Sequence, residues 1–217
     1  MKKEKLVCVF AHPDDESFGP SGTIAKFADR GEVYIICVTN GNDKTNGRIK
    51  NLSQKRKKEL KKAATILGVK KVFFLGYEDG ELRNDLYHEV AAKIEKILLK
   101  IKPDTLMTFE LRGISGHIDH VFCSMVTSYL FQKLPFVRKL LYAVTTKDVS
   151  DNMKNYFIYF PDGYEKSEVD LVVDVSKYWS QKIQSVKAHK SQKKDVEQIL
   201  AWLKSTPKEE YFLVKSK

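Results

Sequence analysis

Short apolar runs alternate with amphipathic helical patterns along the whole chain, and this alternation limits the folds that are open to it. The runs are rich in Val, Ile, Phe and Leu, as expected of strands that are buried on both faces. Such strands, separated by helices and joined by right-handed crossovers, predict an α/β fold: a Rossmann-like three-layer α/β/α sandwich with a mainly parallel sheet. The predicted strands are 6–10, 33–39, 71–75, 105–109, 140–144 and 171–175, with a short one near 211–214; the predicted helices are 22–30, 52–67, 85–100, 119–132, 177–189 and 196–204.

Length and composition fit one globular domain over residues 1–217. The chain is 42% hydrophobic and has no Pro/Gly/Ser-rich linker, internal repeat or low-complexity tract. Its basic start and the five apolar residues after it imitate a signal peptide, but the apolar stretch is too short. No run approaches the roughly 20 apolar residues of a membrane span. Cys8, Cys37 and Cys123 sit in apolar contexts without a close partner, so we expect reduced thiols and a cytoplasmic protein.

Two polar clusters lie where ligands bind in such a sheet, beyond the carboxyl ends of its strands. Ala-His-Pro-Asp-Asp-Glu follows the first strand at 11–16, and Gly-His-Ile-Asp-His opens a later helix at 116–120. The first loop lacks Gly-x-Gly-x-x-Gly, and its acidic residues argue against a bound dinucleotide. Imidazoles and carboxylates gathered at one rim predict a metal site. The alternative is turn chemistry, in which Pro13 fixes φ and Asp14 or Asp15 accepts backbone hydrogen bonds at a helix start.

Further motifs stand in a fixed order around these clusters. They are Ser-Gly-Thr-Ile-Ala at 21–25, Thr-Asn-Gly at 39–41, Arg56-x-x-Glu59 with Leu-Gly at 67–68, and Asp-Gly-x-Leu at 79–82. Together with 11–16 and 116–120 they resemble the PIG-L/LmbE family of zinc-dependent N-acetylglucosaminyl de-N-acetylases. The resemblance covers roughly the first 120 residues, and Ala-His-Lys-Ser-Gln at 188–192 matches a pattern of some bacterial branches. The loop after the second strand departs from the family, since it continues Thr-Asn-Gly with Asn-Asp rather than with small residues.

The resemblance implies a catalytic metal centre. His12, Asp15 and His120 would hold the metal and leave a fourth position for water, as in catalytic zinc sites. Zn²⁺ suits this ligand set, and Fe²⁺ or Co²⁺ could occupy it as well. Asp14 would take the proton of the attacking water as general base. His117, one helical turn before His120, would help to stabilise the tetrahedral oxyanion.

Three residues are predicted substrate ligands, each with a plainer alternative. Arg56 lies on the apolar stripe of the helix after the second strand; the alternative is a buried ion pair with Asp79 or another rim acid. Asp79 would accept hydrogen bonds from sugar hydroxyls, as the family pattern implies, or would belong to an ordinary Asp-Gly turn. His189, near the end of a C-terminal helix, would reach the site or would only be packed or capped. Asp119 is expected to cap its helix or to orient an imidazole, and Glu16 to be a surface charge or to support the site.

The net charge of +10 invites a nucleic-acid interpretation, but the lysines of helix 52–67 lie opposite its apolar stripe, where such residues are usually only solvated. Trp179 and Trp202 are expected in the core rather than as sugar platforms. We therefore predict zinc-dependent hydrolysis of the acetamide of an N-acetylglucosamine-containing conjugate, which releases acetate and a free amine through metal-bound water. The partner would be this small amino-sugar conjugate, with or without an anionic aglycone, and not nucleic acid. A basic Rossmann-like module for nucleic acid or nucleotide and a metal-dependent phosphoester hydrolase stay open as alternatives, and so does a homo-oligomer.

Overall fold

Seven strands form a mixed sheet in the parts of the chain that the computed structural model describes, residues 3–42, 51–154 and 159–217. The first five strands are parallel to one another, which confirms the predicted α/β fold with a mainly parallel sheet. The strands are β1 (Lys5–Phe10), β2 (Glu32–Thr39), β3 (Lys71–Tyr77), β4 (Thr105–Phe109), β5 (Lys139–Val144), β6 (Leu171–Asp174) and β7 (Glu209–Ser216), and their order in the sheet is β3-β2-β1-β4-β5-β7-β6.

Helices cover both faces of the sheet within the same described ranges. They are α1 (Asp15–Phe18), α2 (Ser21–Ala28), α3 (Leu52–Ile66), α4 (Tyr87–Ile101), α5 (Gly113–Gly116), α6 (Ile118–Lys133), α7 (Lys147–Met153), α8 (Trp179–Val186) and α9 (Lys193–Trp202). On one side, α2 and α3 both pack against α8, and on the other, α4 packs against α6. This is the division that right-handed crossovers produce when the chain first runs from β1 to β3 and then returns to β4 and β5.

The centre of the sheet is its most deeply buried part. Every residue of β1 from Leu6 to Phe10 is at most 1% exposed, so both faces of this strand are covered by helices. Each such side chain contributes roughly 1.5–3 kcal/mol by leaving water. Cys8, Cys37 and Cys123 are free and buried, in agreement with their predicted place in the core.

The structure differs from the sequence prediction mainly in its C-terminal part. The last strand is longer than the predicted 211–214, and it runs antiparallel between β5 and β6. An apolar run indicates a strand but not its direction or its neighbours, so the sequence could not predict the position of β7 in the sheet. The short helix α7 was not predicted, because its sequence Lys-Asp-Val-Ser-Asp-Asn-Met has no apolar stripe. Among the described residues, no helix is long and apolar enough to cross a membrane.

The sheet places two loops at a topological switch point. β1 lies between β2 and β4. From β2 the chain continues outward to β3 on one side of β1, and from β4 it continues outward to β5 on the other side. The loops that follow β1 and β4 therefore border one crevice at the carboxyl ends of the strands, where α/β proteins bind ligands. The loop after β2 begins at the same rim with residues 40–42, and residues 43–50 lie outside the described part of the chain.

Candidate active site

The two histidine clusters meet at this rim. His12 stands two residues after β1, and Asp15 is the first residue of α1. His117 is the N-cap of α6, and His120 lies in the first turn of that helix. Elements that are far apart in the sequence thus bring two short motifs together, as the prediction required.

Three of these side chains converge on one point. His12 Nδ1 lies 3.1 Å from His120 Nε2 and 3.6 Å from Asp15 Oδ2, and His120 Nε2 lies 3.3 Å from Asp15 Oδ1. In a tetrahedral zinc site with bonds of about 2.0–2.1 Å, two ligand atoms are about 3.3 Å apart. The donor atoms of His12, Asp15 and His120 therefore have the chemistry and the mutual spacing of three ligands of one divalent cation.

The other nitrogen of each imidazole is fixed by a protein group. His12 Nε2 faces Asp79 Oδ1 at 3.0 Å and Asp119 Oδ2 at 3.2 Å, while His120 Nδ1 lies 3.1 Å from the carbonyl oxygen of Gly113. These acceptors hold the ring hydrogens, which leaves His12 Nδ1 and His120 Nε2 with their lone pairs toward the common point. Asp119 thus orients an imidazole, one of its two predicted roles.

The surroundings of the cluster favour positive charge. Burial lowers the pKa of His12, but hydrogen bonds to Asp119 and Asp79 and the charge of Asp15 raise it well above its ordinary value. Burial raises the pKa of Asp15, but His120 beside it holds that pKa below its usual range. A site whose carboxylates stabilise a cation among buried and half-buried imidazoles is one that suits a bound metal ion.

Asp14 stands next to this cluster in an uncommon backbone conformation. Its φ is 153° and its ψ is −21°, values that L residues rarely adopt and that concentrate at functional sites. Its carboxylate makes no helix cap but accepts from Arg56 Nη2 at 2.8 Å. Burial raises the pKa of Asp14 to about 6, against the opposing charge of Arg56. The turn alternative therefore does not describe Asp14, although Asp15 Oδ2 does accept a hydrogen bond from the His12 amide at 2.7 Å.

Arg56 is buried, and its Nη1 and Nη2 groups donate four hydrogen bonds within the site. Its ion pairs with Asp14 and Asp79, at 2.8 and 3.4 Å, are the alternative that the sequence left open. Direct contact between Arg56 and a substrate stays a prediction. Gly41, at φ 67°, allows this approach, because a Cβ there would lie 2.7 Å from Arg56 Nε. The acceptors around the guanidinium are Asp14, Asp79, the carbonyl oxygens of Pro13 and Gly41, and the amide oxygen of Gln192.

His117 lies beside the cluster, and the hydrogen bond of one of its ring nitrogens is defined. Its Nδ1 accepts from the Asp119 amide at 3.1 Å, so the neutral ring carries its hydrogen on Nε2. Burial and the nearby His12 and His120 lower the pKa of His117, which favours this neutral donor form. Asp79 follows β3 and uses both oxygens within the site, on His12 and on Arg56. Its predicted contact with sugar hydroxyls stays a prediction, for which carboxylate oxygens have further acceptor capacity.

His189 is not where the sequence placed it. The predicted substrate ligand is fully buried, and its Nε2 lies 2.8 Å from Glu16 Oε1 and 3.2 Å from Ser17 Oγ, beneath the loop after β1. It does not border the cavity, because helix α8 ends at Val186 and the chain then turns inward. The packed alternative is the one that the structure supports, and Glu16 is buried with it rather than at the surface.

A cavity of about 1110 Å³ opens over the site. One side is bordered by the cluster, including Asp14, Arg56, Asp79 and His117. The other side is built by α7, α9 and β7, and it carries aromatic and aliphatic side chains beside charges of both signs. Trp179 and Trp202, which were expected in the core, are half-buried and border this cavity. Among the side chains on this far side are Met153, Phe160, Trp179, Ile199, Trp202 and Tyr211.

Two residues of the site had no predicted role. Gln192 reaches the Arg56 guanidinium, and Glu59 accepts from the Ser191 amide at 2.9 Å and also from its hydroxyl. The motifs Arg56-x-x-Glu59 and 188–192 contain them, so the signal was present in the sequence. No periodicity, however, indicates that these two segments touch.

Comparison with known proteins agrees with this arrangement. The family pattern described as PIG-L, GlcNAc-PI de-N-acetylase, matches residues 7–130. The chain is 30% identical over 196 residues to a diacetylchitobiose deacetylase of Thermococcus kodakarensis, covering 87% of this chain and 70% of that one. It is also 30% identical over 201 residues to a probable N-acetyl-alpha-D-glucosaminyl L-malate deacetylase 2 of Bacillus cereus, covering 88% and 84%.

A solved structure is similar in fold to this chain over nearly its whole length. The N,N'-diacetylchitobiose deacetylase from Pyrococcus horikoshii superposes with a TM-score of 0.71 at 24% identity, and the match covers 99% of this chain and 84% of that one. At this identity the superposition speaks for the fold, while the matched sequence pattern contains every residue of the histidine clusters. The chain belongs to the PIG-L (GlcNAc-PI de-N-acetylase) family.

Proposed function

We propose that this protein hydrolyses the acetamide of an N-acetylglucosamine-containing conjugate and releases acetate and a free amine. The observation that carries the proposal is the convergence of His12, Asp15 and His120 within 3.1–3.6 Å of one another, with the Asp14 carboxylate on the adjacent residue. The names of the relatives, deacetylases of such sugars, support the substrate class.

The chain's own groups have separate roles in this reaction. Asp14, whose pKa is raised to about 6, accepts a proton from the attacking water and returns it to the leaving nitrogen. His117 donates through Nε2 to the oxygen that becomes negative in the tetrahedral intermediate. Arg56 keeps the Asp14 carboxylate in place through the contact at 2.8 Å. The proton acceptor and the oxyanion donor thus border the same cavity.

His12, Asp15 and His120 would hold the metal ion, which we propose to be Zn²⁺. A bound Zn²⁺ supplies Lewis acidity, which polarises a carbonyl and lowers the pKa of water. Two imidazoles and one carboxylate form the kind of three-residue set found in catalytic zinc sites, and Fe²⁺ or Co²⁺ can use the same donors.

The size of the cavity supports a conjugate rather than a free monosaccharide. Pockets of about 300–1000 Å³ already hold drug-sized ligands, and this one measures about 1110 Å³. We propose that the acetamide lies at the metal cluster while the aglycone extends toward Trp202 and Tyr211. An anionic aglycone would meet Lys193 and Lys194 at the same side of the cavity.

The nucleic-acid alternative draws no support from the site. On α3, Lys58, Lys61 and Lys62 are exposed while Leu60 and Ala63 are buried, as in a solvated helix face. A phosphoester substrate would fit the same cluster, but it would use the donors of a single metal where two are common. Activity on phosphoesters is therefore an outcome of the test below rather than a second proposal.

The test is amine release from a panel of N-acetylglucosamine conjugates by purified protein. The assay is run after chelation, after Zn²⁺, Fe²⁺ or Co²⁺ is restored, and with Asp14→Asn as matched control. We expect metal-dependent release of acetate and amine in equal amounts. Turnover that survives complete chelation would contradict the metal, and phosphate release without amine release would contradict the reaction.

A further inference from the structure

Residues 188–192 place three polar side chains against residues of α1 and α3, the helices that follow two rim loops. His189 Nε2 lies 2.8 Å from Glu16 Oε1, and Ser191 binds both carboxylate oxygens of Glu59, its amide at 2.9 Å. The third side chain, Gln192, faces Arg56. This segment lies outside the part of the chain that matches the family pattern, which ends at residue 130.

All three contacts are made away from water. Glu16 and His189 are at most 1% exposed, and Arg56, Glu59 and Gln192 are at most 8% exposed. Buried carboxylates and guanidinium groups are costly unless they are paired, so each contact constrains where the rim residue can lie. Glu16 follows the predicted ligand Asp15 directly, and Arg56 holds Asp14. The segment therefore reaches the catalytic loop from two directions.

Gln192 has the contact that bears most directly on the reaction. With its amide oxygen toward Arg56, this oxygen lies 2.9, 2.9 and 3.1 Å from Nε, Nη1 and Nη2, over the face of the guanidinium; the opposite amide orientation would set donors against donors. The planar guanidinium is thereby held between Gln192 and the Asp14 carboxylate.

We propose that residues 188–192 form a positioning clamp, in which Gln192 fixes Arg56 and Arg56 in turn fixes Asp14 for proton transfer. The proposal rests on the proposed function, because it assigns the clamp a role in de-N-acetylation. Gln192 is a positioning residue here: it acts on the reacting atoms only through Arg56 and Asp14. A displacement of the base by even 1 Å is enough to slow a reaction about a hundredfold.

The test compares two replacements of Gln192 that keep its size. Gln192→Leu removes the acceptor, and we expect kcat to fall about tenfold while KM changes less than about twofold. Gln192→Glu keeps an acceptor in the same place, and we expect kcat within about threefold of the unchanged protein. Lys190→Ala, an exposed neighbour in the same segment, is the control and should leave kcat unchanged. Metal content and thermal midpoint are measured for every variant.

A kcat for Gln192→Leu equal to that of the unchanged protein would overturn the clamp. The clamp would also be overturned if the Leu and Glu variants lost kcat equally and in proportion to the fall in their thermal midpoints, since packing alone would explain that result. A crystal structure of Gln192→Leu gives a readout without turnover: we expect the Arg56–Asp14 contact, 2.8 Å here, to lengthen beyond hydrogen-bonding distance. If the unchanged protein deacetylates no conjugate, the proposed function fails, and this distance still decides whether Gln192 positions Arg56.

Discussion

The rim after β1 and β4 and the segment at residues 188–192 both bury a histidine against carboxylates, but they leave different atoms accessible. His12 borders the cavity, with Nε2 held by Asp79 and Asp119 and Nδ1 directed at Asp15 and His120. His189 does not border it; its Nε2 is held by Glu16, and its Nδ1 is buried without a hydrogen-bond partner. Similar pairs therefore serve a ligand site in one region and an anchor in the other.

The difference lies in what surrounds each pair. The donor atoms of the rim point at one another, as the ligands of a shared cation would. The His189–Glu16 pair does not border the cavity, and we expect it to act as a fixed support. Variants of His12 and His120 should therefore lose chemistry, whereas variants of His189 should lose stability.

The largest effect is expected from loss of a rim imidazole. His12→Ala or His120→Ala should lower metal content from about one ion per chain to nearly none and abolish deacetylation, because two ligands do not hold a catalytic ion. Elemental analysis and amine release measure both. His88→Ala, an exposed histidine of α4, is the matched control. Full metal occupancy in either rim variant would remove that residue from the ligand set.

Asp14→Asn should separate metal binding from turnover. The amide oxygen can still accept from Arg56, but it cannot take a proton, so we expect normal metal content and a kcat lower by about 10²–10⁴. Elemental analysis and steady-state kinetics on the same preparation check this. Near-normal turnover in this variant would exclude Asp14 as the base.

His189→Ala should act on stability instead. It leaves the Glu16 carboxylate, 1% exposed, without its imidazole partner, and removing one member of a buried pair costs about 3–5 kcal/mol. Urea unfolding should show a loss of about that size, against less than about 0.5 kcal/mol for Lys190→Ala. Equal stability of the two variants would mean that the pair is no anchor.

The same pair should make stability depend on pH. Burial lowers the pKa of His189, but Glu16 raises it above its ordinary value, so the folded protein binds the proton more tightly than the unfolded chain. This contribution is complete below about pH 6.5 and is lost as pH rises through the folded pKa. The difference in unfolding free energy between the unchanged protein and His189→Gln should therefore shrink above pH 6.5. A difference that grows with pH would reverse the assignment.

The smallest effect is expected on the far side of the cavity. Trp202→Ala should lower kcat/KM for an N-acetylglucosamine disaccharide about threefold to tenfold, since an aromatic contact contributes about 0.5–1.5 kcal/mol. The value for the monosaccharide should not change. Tyr129→Ala, an exposed aromatic residue of α6, is the control. Equal losses on both sugars would place Trp202 outside the aglycone path.

How much the sequence could predict depends on whether a signal was local. The meeting of the two histidine clusters was predictable because each cluster follows a strand, and parallel strands end at one rim. The choice of His12, Asp15 and His120 as metal ligands came from the family resemblance and stays a prediction. The contact between Gln192 and Arg56 joins segments with no shared period, and a motif does not name its partner. His189 was misplaced for the same reason: a helix end can face a cavity or the core, and only packing decides. The apolar run of β7 likewise contained no sign of its antiparallel direction.

The place of β7 also sets an order of events on the ribosome. β7 lies between β5 and β6 although it follows both in the chain, and β6 pairs with no other strand in the described part. Strands β1–β5 can pair as they emerge, whereas β6 must wait for β7 to leave the exit tunnel. Glu210 of β7 then accepts hydrogen bonds from the amides of Gly22 and Thr23 and so joins β7 to α2. We therefore expect the nascent chain to present the three proposed metal ligands, all within the first 120 residues, before the far wall of the cavity exists.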